Sequence, residues 1–307
     1  MKTVLITGGT GLVGSRLTEL LLARNYHVIV LSRSKKETST PNLSYAIWNV
    51  EEQTIDASVF TKTDYIVHLA GAGVADKRWS VSRKKEILDS RIQSSALLVK
   101  ALQQNSNKVQ AVISSSAIGW YGPDPSLHSN GFEEVDAPFS DYLGNTCKLW
   151  EESIEPITQQ NIRLVKLRTG IVLSTKGGAL KEFLNPIKMG IAAILGNGKQ
   201  IISWIHIDDL CNQFIYAIEH ENMQGSYNAV APNPVNNKIL TLSIAKKVKG
   251  KFYIPIYVPS FMLKIILGEM SIEVLKSTTV SSKKIEIAGF NFKYKTIDAA
   301  LSNLLNK

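Results

Sequence analysis

The sequence predicts an α/β fold, a doubly wound parallel sheet followed by a smaller C-terminal α/β lobe. Two observations carry that prediction. An apolar run at Val4, Leu5 and Ile6 breaks into the cluster Thr7-Gly8-Gly9-Thr10-Gly11-Leu12-Val13-Gly14, and a helical apolar pattern (Leu17, Leu20, Leu21) follows at once. Beyond it, strand-like and helix-like segments alternate, the order that builds a parallel sheet with helices on both faces. At 307 residues and 44% hydrophobic content, the chain can bury one such core and a small second one.

The elements follow in order. The first strand starts at Thr3, and the second covers residues 27–31 and ends at Ser32-Arg33. Residues 43–48 and 65–69 fit a third and a fourth strand. A long helix spans about 81–104, with Ile87, Ile92, Leu98 and Leu102 at helical spacing. A fifth strand fits 110–114, a helix 145–157, and a sixth strand 163–167. After Gly170, the pairs Gly177-Gly178 and Gly196-Asn197-Gly198 mark loops. The expected division is a nucleotide-binding domain at 1–224 and a cap lobe at 225–307, with about 171–208 contributing to the lobe.

A strand that turns through glycines into a helix makes an anion site. The first backbone N–H groups of the helix have no partner within it, and the helix dipole adds partial positive charge. In the Rossmann arrangement Gly8 takes the tight turn and Gly14 lets helix pack on strand. Gly11 admits a pyrophosphate close to the backbone of Leu12 and Val13. Thr10 adds a hydroxyl. The strand before and the helix after supply the context such a motif requires. The end of the second strand lies beside the adenosine ribose, where an acid bonds the 2′-OH of NAD and an Arg accommodates the 2′-phosphate of NADP. This chain offers Ser32-Arg33-Ser34-Lys35-Lys36 and no acid before Glu37. A guanidinium matches a phosphate bidentately, so the cofactor expected is NADP(H).

Composition narrows the remaining classes. The net charge is +9, and residues 225–307, with 12 Lys, no Arg and four acids, hold +8 of it. No aromatic interleaving or arginine stripe accompanies those lysines, so they read as a solvated surface, with neither nucleic acid nor membrane expected as a partner. An oligomer stays open. The apolar stretch 253–270 is broken by Pro255, Pro259 and Lys264 and does not read as a spanning helix. Two cysteines, Cys147 and Cys211, suit a reducing cytoplasmic setting. No Cys/His cluster has metal-ligand spacing.

Further motifs recur along the whole chain: His68-Leu69-Ala70-Gly71-Ala72, Arg78-Trp79 with Lys84, and Asp89-Ser90-Arg91. Ser114-Ser115-Ser116 with Gly119-Trp120-Tyr121-Gly122 comes next, then Arg168-Thr169-Gly170, Trp204-Ile205-His206-Ile207-Asp208-Asp209 and Gly268-Glu269-Met270. With the Gly8-x-x-Gly11-x-x-Gly14 spacing, they resemble the extended short-chain dehydrogenase/reductase superfamily. The resemblance is to its epimerase-family (nucleoside-diphosphate-sugar-epimerase-like) group, which carries a C-terminal domain of unknown function. It implies that Leu69, Ala70, Gly71, Ser114, Lys148 and Arg168 contact the cofactor, that Lys148 also serves in catalysis, and that Ser116 orients the substrate oxygen. Asn49 stands where relatives place an acid near adenine. Trp79, Arg91 and Tyr121 are the implied substrate contacts. Arg168, at the carboxyl edge of the sheet, reads either as an anion clamp or as half of an ion pair. His206 in His-x-Asp-Asp reads as a structural joint, with Asp208 able to cap the next helix.

The superfamily's proton donor is a Tyr four residues before a Lys, on one helix face. Counting back from Lys148 lands on Gly144, and the group itself tends to lack that Tyr. Tyr142 lies six residues from Lys148, about 120° around a helix; it and Tyr121 are the remaining donor candidates. Two functions follow as expectations. One is an NADP(H)-dependent oxidoreductase or epimerase-like enzyme acting on a small polar substrate, an anionic one included. The other is an NADP(H)-binding regulatory protein without turnover.

Overall fold

The computed structural model describes residues 1–125 and 131–306. Its first half is a regular alternation: β1 (Thr3–Thr7), α1 (Leu12–Ala23), β2 (His27–Ser32), β3 (Leu43–Asn49), β4 (Thr54–Ile55), β5 (Tyr65–His68), α2 (Val81–Gln104) and β6 (Ala111–Ala117). Then come α3 (Tyr142–Ile154), β7 (Arg163–Thr169), β8 (Ile171–Leu173), α4 (Ala179–Lys188), β9 (Ile191–Leu195), β10 (Ile201–Ile202), β11 (Trp204–His206) and α5 (Ile207–Glu219). The last stretch holds β12 (Gly225–Ala229), β13 (Val235–Asn236), α6 (Asn237–Lys249), β14 (Ile254–Val258), α7 (Ser260–Leu267), α8 (Ser271–Leu275), α9 (Lys283–Ile287) and α10 (Ile297–Leu305).

Eight strands form one sheet in the order β12-β7-β6-β5-β1-β2-β3-β4. All neighbours are parallel except the short β3–β4 pair. The strand order reverses between β1 and β5, and in such sheets ligands bind in the crevice outside the carboxyl ends at that point. Val4, Ile6, Val28 and Val30 face one core, with Leu17 and Leu21 of α1 and Phe214 and Ile218 of α5. Leu5, Ile29 and Ile66 alternate to the other face, against Leu97, Leu98 and Leu102 of α2. Both sides of the central strands are thus buried, which is why they read as continuous apolar runs.

A second core joins Leu180 and Ile187 of α4, Leu240 and Ile244 of α6, and Ala300 and Leu301 of α10 around Trp204. The chain passes between the two cores more than once. β12 lies beyond residue 224 yet pairs with β7 as the edge of the main sheet, and Ile285, Phe290 and Phe292 return to the main core. A single boundary at 224/225 therefore does not describe the packing.

Candidate active site

At the crevice, Gly8 turns with φ +67, and a Cβ on it would press on the Leu69 carbonyl carbon at 2.9 Å. A Cβ on Gly14 would overlap the Gly8 carbonyl oxygen and Gly9. The turn is closed by the Gly11 N–H donating to the Gly8 carbonyl (3.0 Å). No side chain caps α1 at Gly11, and its first turn carries no acid. Its leading N–H groups are left to an external acceptor, as an anion-binding helix start requires. Beside it a cleft of about 230 Å³ is lined by Gly9, Thr10, Ser15, Thr18, Val30 and Tyr45. The residues present fit a dinucleotide pyrophosphate: any larger side chain at 8 or 14 would push apart the backbone that forms the turn.

The loop after β5 is fixed from below. The Thr7 hydroxyl oxygen accepts from the N–H groups of Leu69 (3.0 Å) and Ala70 (3.1 Å), and Thr7 Oγ1 also pairs with His68 Nδ1 at 2.8 Å. Leu69 and Ala70 are half-buried and Gly71 is exposed. At the end of β2 the Ser32 Oγ accepts from the Ser34 N–H (3.4 Å). Arg33 is exposed and has no ion pair or hydrogen bond among the described residues. Asn49 takes the role of a turn residue. Its Oδ1 accepts from the N–H groups of Glu51 and Glu52 (3.0 and 3.2 Å), so it shapes the turn after β3 rather than presenting that oxygen to a base.

The serine strand departs from expectation. Ser116 is 1% exposed, and its hydroxyl donates to Glu151 Oε1 at 2.7 Å. Glu151 in turn holds Arg168 through Nε (2.8 Å) and Nη2 (3.1 Å). The Arg168 guanidinium lies 3.7 Å over the Trp120 ring and donates to the Tyr121 hydroxyl at 3.0 Å. Burial opposes the Arg168 charge, and the Glu151 carboxylate more than restores it, leaving its pKa raised. Arg168 is half of a buried ion pair, not a free anion clamp. Tyr121 is fully buried, donates to Asn228 Oδ1 (2.7 Å), and is pushed up to about 12 by burial. It offers no open face to a substrate. Ser114 is likewise enclosed at 1% exposure, its hydroxyl donating to the Ser115 carbonyl.

The start of α3 sits at the same edge. Asp141 caps it by accepting from the Gly144 N–H (2.7 Å), which starts the helix at Tyr142, three residues earlier than the apolar pattern indicates. Tyr142 and Lys148 are both helical and, six residues apart, do not share a face. Lys148 is half exposed and lies 3.9 Å from Glu152, directed along the outer side of α3. Tyr142 instead meets Trp79 edge-to-face at 5.0 Å and donates to the Lys84 carbonyl (2.9 Å). Burial raises its pKa, with opposing pulls from the Thr146 hydrogen bond and from Arg91 and Arg83. The C-terminal part closes over this corner through the ion pair of Lys84 with Glu269 (2.6 Å) and that of Lys276 with Asp141 (3.6 Å).

Arg91 is 9% exposed, packed over Trp150, and gives Nη1 to the carbonyls of Ala72 (3.0 Å) and Ile87 (2.8 Å). No carboxylate pairs with it among the described residues, and burial lowers its pKa. The titratable neighbours do not compensate: the Cys147 thiol is pushed up to about 12 by burial. His206 is a joint. Its Nδ1 caps α5 by accepting from the Asp208 N–H (3.0 Å), its ring stacks on Tyr294 at 3.8 Å, and Asp208 pairs with Arg16 of α1 instead of capping. Sequence reasoning missed the role of Glu151, and it noted Glu269 only within a motif; their partners lie 17 and 185 residues away and leave no local pattern. No group of His, Cys, Asp and Glu among the described residues could hold a metal.

The strand order, the glycine turn and its uncapped helix define a dinucleotide-binding α/β protein. The chain belongs to the NAD dependent epimerase/dehydratase family, whose model matches residues 4–230, and a domain of unknown function (DUF1731) matches 258–304. An epimerase family protein of Staphylococcus haemolyticus is 35% identical over 306 residues, covering all of both chains. The human epimerase family protein solved with NADPH is 28% identical with a TM-score of 0.84, over 99% of each chain. A nucleoside-diphosphate sugar epimerase from Corynebacterium glutamicum is 30% identical with a TM-score of 0.77, covering 99% of this chain and 58% of that one. No helix among the described residues is long and apolar enough to cross a membrane.

Proposed function

We propose that this chain is an NADP(H)-dependent oxidoreductase or epimerase-like enzyme that acts on a small polar substrate carrying an anionic group. The observation that carries the reading is the uncapped, glycine-walled start of α1 with the unpaired Arg33 guanidinium at the end of β2. Gly8, Gly11 and Gly14 give the pyrophosphate access to the N–H groups of Leu12 and Val13, and Arg33 meets the 2′-phosphate. The human relative solved with NADPH supports that choice. The dinucleotide, when bound, donates or accepts a hydride at the nicotinamide ring.

Tyr142, held by Trp79 and kept protonated by burial, is the proton donor in this reading. Arg91, a buried cation without a carboxylate, binds the substrate's anionic group, since burying a lone charge costs several kcal/mol. Ser116 acts through the Glu151–Arg168 pair as a positioning residue.

Native mass spectrometry with NADPH and with NADH, then NADPH oxidation against a panel of carbonyl acids, tests this. The expected result is an NADPH adduct, turnover, and its loss in Tyr142→Phe with the adduct retained. No adduct with either nucleotide overturns the reading. An adduct without turnover favours the second reading, a regulatory NADP(H)-binding protein, which Gly144 in the tyrosine position supports.

A further inference from the structure

Residues 222–268 hold six lysines and not one Asp or Glu. Within that stretch β14 and α7 leave their apolar side chains open. β14 pairs with β9 in the register Ile254↔Ile191, Ile256↔Ala193 and Val258↔Leu195. By strand alternation these six apolar residues share one sheet face. The opposite face of β9, at Ala192 and Ile194, is buried. Phe252 (86% exposed) and Met189 (75%) stand at one end of the strand pair, where the Ile254 N–H donates to the Gly190 carbonyl. At the other end Val258 leads into α7, whose Phe261, Met262, Ile265 and Ile266 are all exposed while Leu263 alone is buried. Scattered exposed apolar residues need no explanation, but a contiguous run over two successive elements marks an interaction site.

The charges around it select the partner. Lys188 beside Met189, Lys251 beside Phe252 and Lys264 within α7 are exposed and have no ion pair among the described residues. The acids that follow in the chain are neutralised, Glu269 by Lys84 and Glu273 by Lys276. An aliphatic and aromatic surface fringed by unpaired lysines matches anionic headgroups above an acyl boundary. A second copy would set the same lysines against each other across a self-complementary contact. We propose that the β14–α7 face docks this protein on an anionic lipid surface. This inference is independent of the catalytic reading, and it revises the expectation that no membrane partner exists.

Co-sedimentation of the full chain with phosphatidylcholine vesicles, and with vesicles that also contain phosphatidylglycerol, tests the proposal. Binding is expected only to the anionic vesicles, weakening as salt rises. Phe261→Ser with Ile265→Ser should lower the partition about tenfold or more. Lys251→Glu and Lys264→Glu should each lower it about fivefold. Far-UV circular dichroism and the thermal midpoint check that these surface variants fold. Absence of binding to either vesicle overturns the proposal, as does binding that neither set of variants changes. A concentration-dependent dimer, lost in the apolar variants and without vesicle binding, assigns the face to a second copy and also overturns it.

Discussion

Gly144 lies so close under the carbonyl oxygen of Phe139 that a Cβ at position 144 would overlap it. The Phe139 N–H donates to the Trp120 carbonyl at 2.8 Å, and a Cβ on Gly122 would meet the Phe139 ring. The segment before α3 is therefore anchored to the turn after β6, and the position four residues before Lys148 is closed by backbone. Gly144→Ala should destabilise the protein by about 1–3 kcal/mol through overpacking, read by urea unfolding. Gly144→Tyr should cost more and add no turnover beyond that of the wild type. An unchanged unfolding midpoint in Gly144→Ala would mean that the segment yields easily, and that closure does not explain the glycine.

The Glu151–Arg168 pair makes a second prediction. Both groups are almost wholly buried, at 6% and 3% side-chain exposure. Removing one partner strands the other charge, so Glu151→Ala should cost about 3–5 kcal/mol. Arg168→Met combined with Glu151→Leu should recover much of that loss, because two apolar groups leave no charge stranded. Ser116→Ala should cost about 1.5–3 kcal/mol, the loss of one hydrogen bond to a charged acceptor. Loss of turnover in Ser116→Ala at unchanged stability would instead place its hydroxyl on the substrate.

What the sequence made legible was local. The Val4–Ile6 strand, the glycine turn and the α1 pattern lie within 21 residues of one another, and the structure has them as read. What it left open is long-range. Ser116 looks like a site residue at a strand end and Arg168 reads two ways there, and only the contact with Glu151, 35 and 17 residues away, shows what each side chain holds. Tyr121 is claimed by Asn228, 107 residues distant. β12 lay beyond the expected boundary because an edge strand as polar as Gly225-Ser-Tyr-Asn-Ala229 carries no continuous apolar run. A capping aspartate moved the start of α3 to Tyr142, where helical apolar spacing alone pointed to residue 145.

Arg33 allows a direct test of cofactor choice. It has no partner to lose among the described residues, so Arg33→Ala should leave stability within about 0.5 kcal/mol. Losing a charge-assisted contact to the 2′-phosphate should raise the NADPH dissociation constant about tenfold or more, with NADH changed little. Isothermal titration of both nucleotides reads the difference. Equal weakening for NADPH and NADH would show that Arg33 does not distinguish them, and the NADP(H) reading would lose its main support.

The last prediction concerns acid. Thr7 Oγ1 accepts two N–H bonds from Leu69 and Ala70, so its own proton goes to His68 Nδ1, and His68 Nε2–H then faces the Ser95 hydroxyl at 3.1 Å. Protonating His68 would put a second donor against a saturated Thr7 and loosen the loop beneath the glycine turn. Burial lowers its pKa from the usual histidine value near 6.5 to about 3. The depressed folded value sets the sign: below about pH 6.5 the unfolded chain takes up a proton that the folded chain refuses, so stability falls with pH until about pH 3. His206, lowered by burial to about 4, adds a similar contribution. Each group should remove about 2 kcal/mol between about pH 6.5 and about pH 5, at roughly 1.4 kcal/mol per unit. Urea unfolding of wild type and His68→Gln across that window measures it. The variant, though less stable at neutral pH, should lose about 2 kcal/mol less on acidification. Parallel curves for the two proteins would show that His68 is protonated as readily in the folded chain as in the unfolded one.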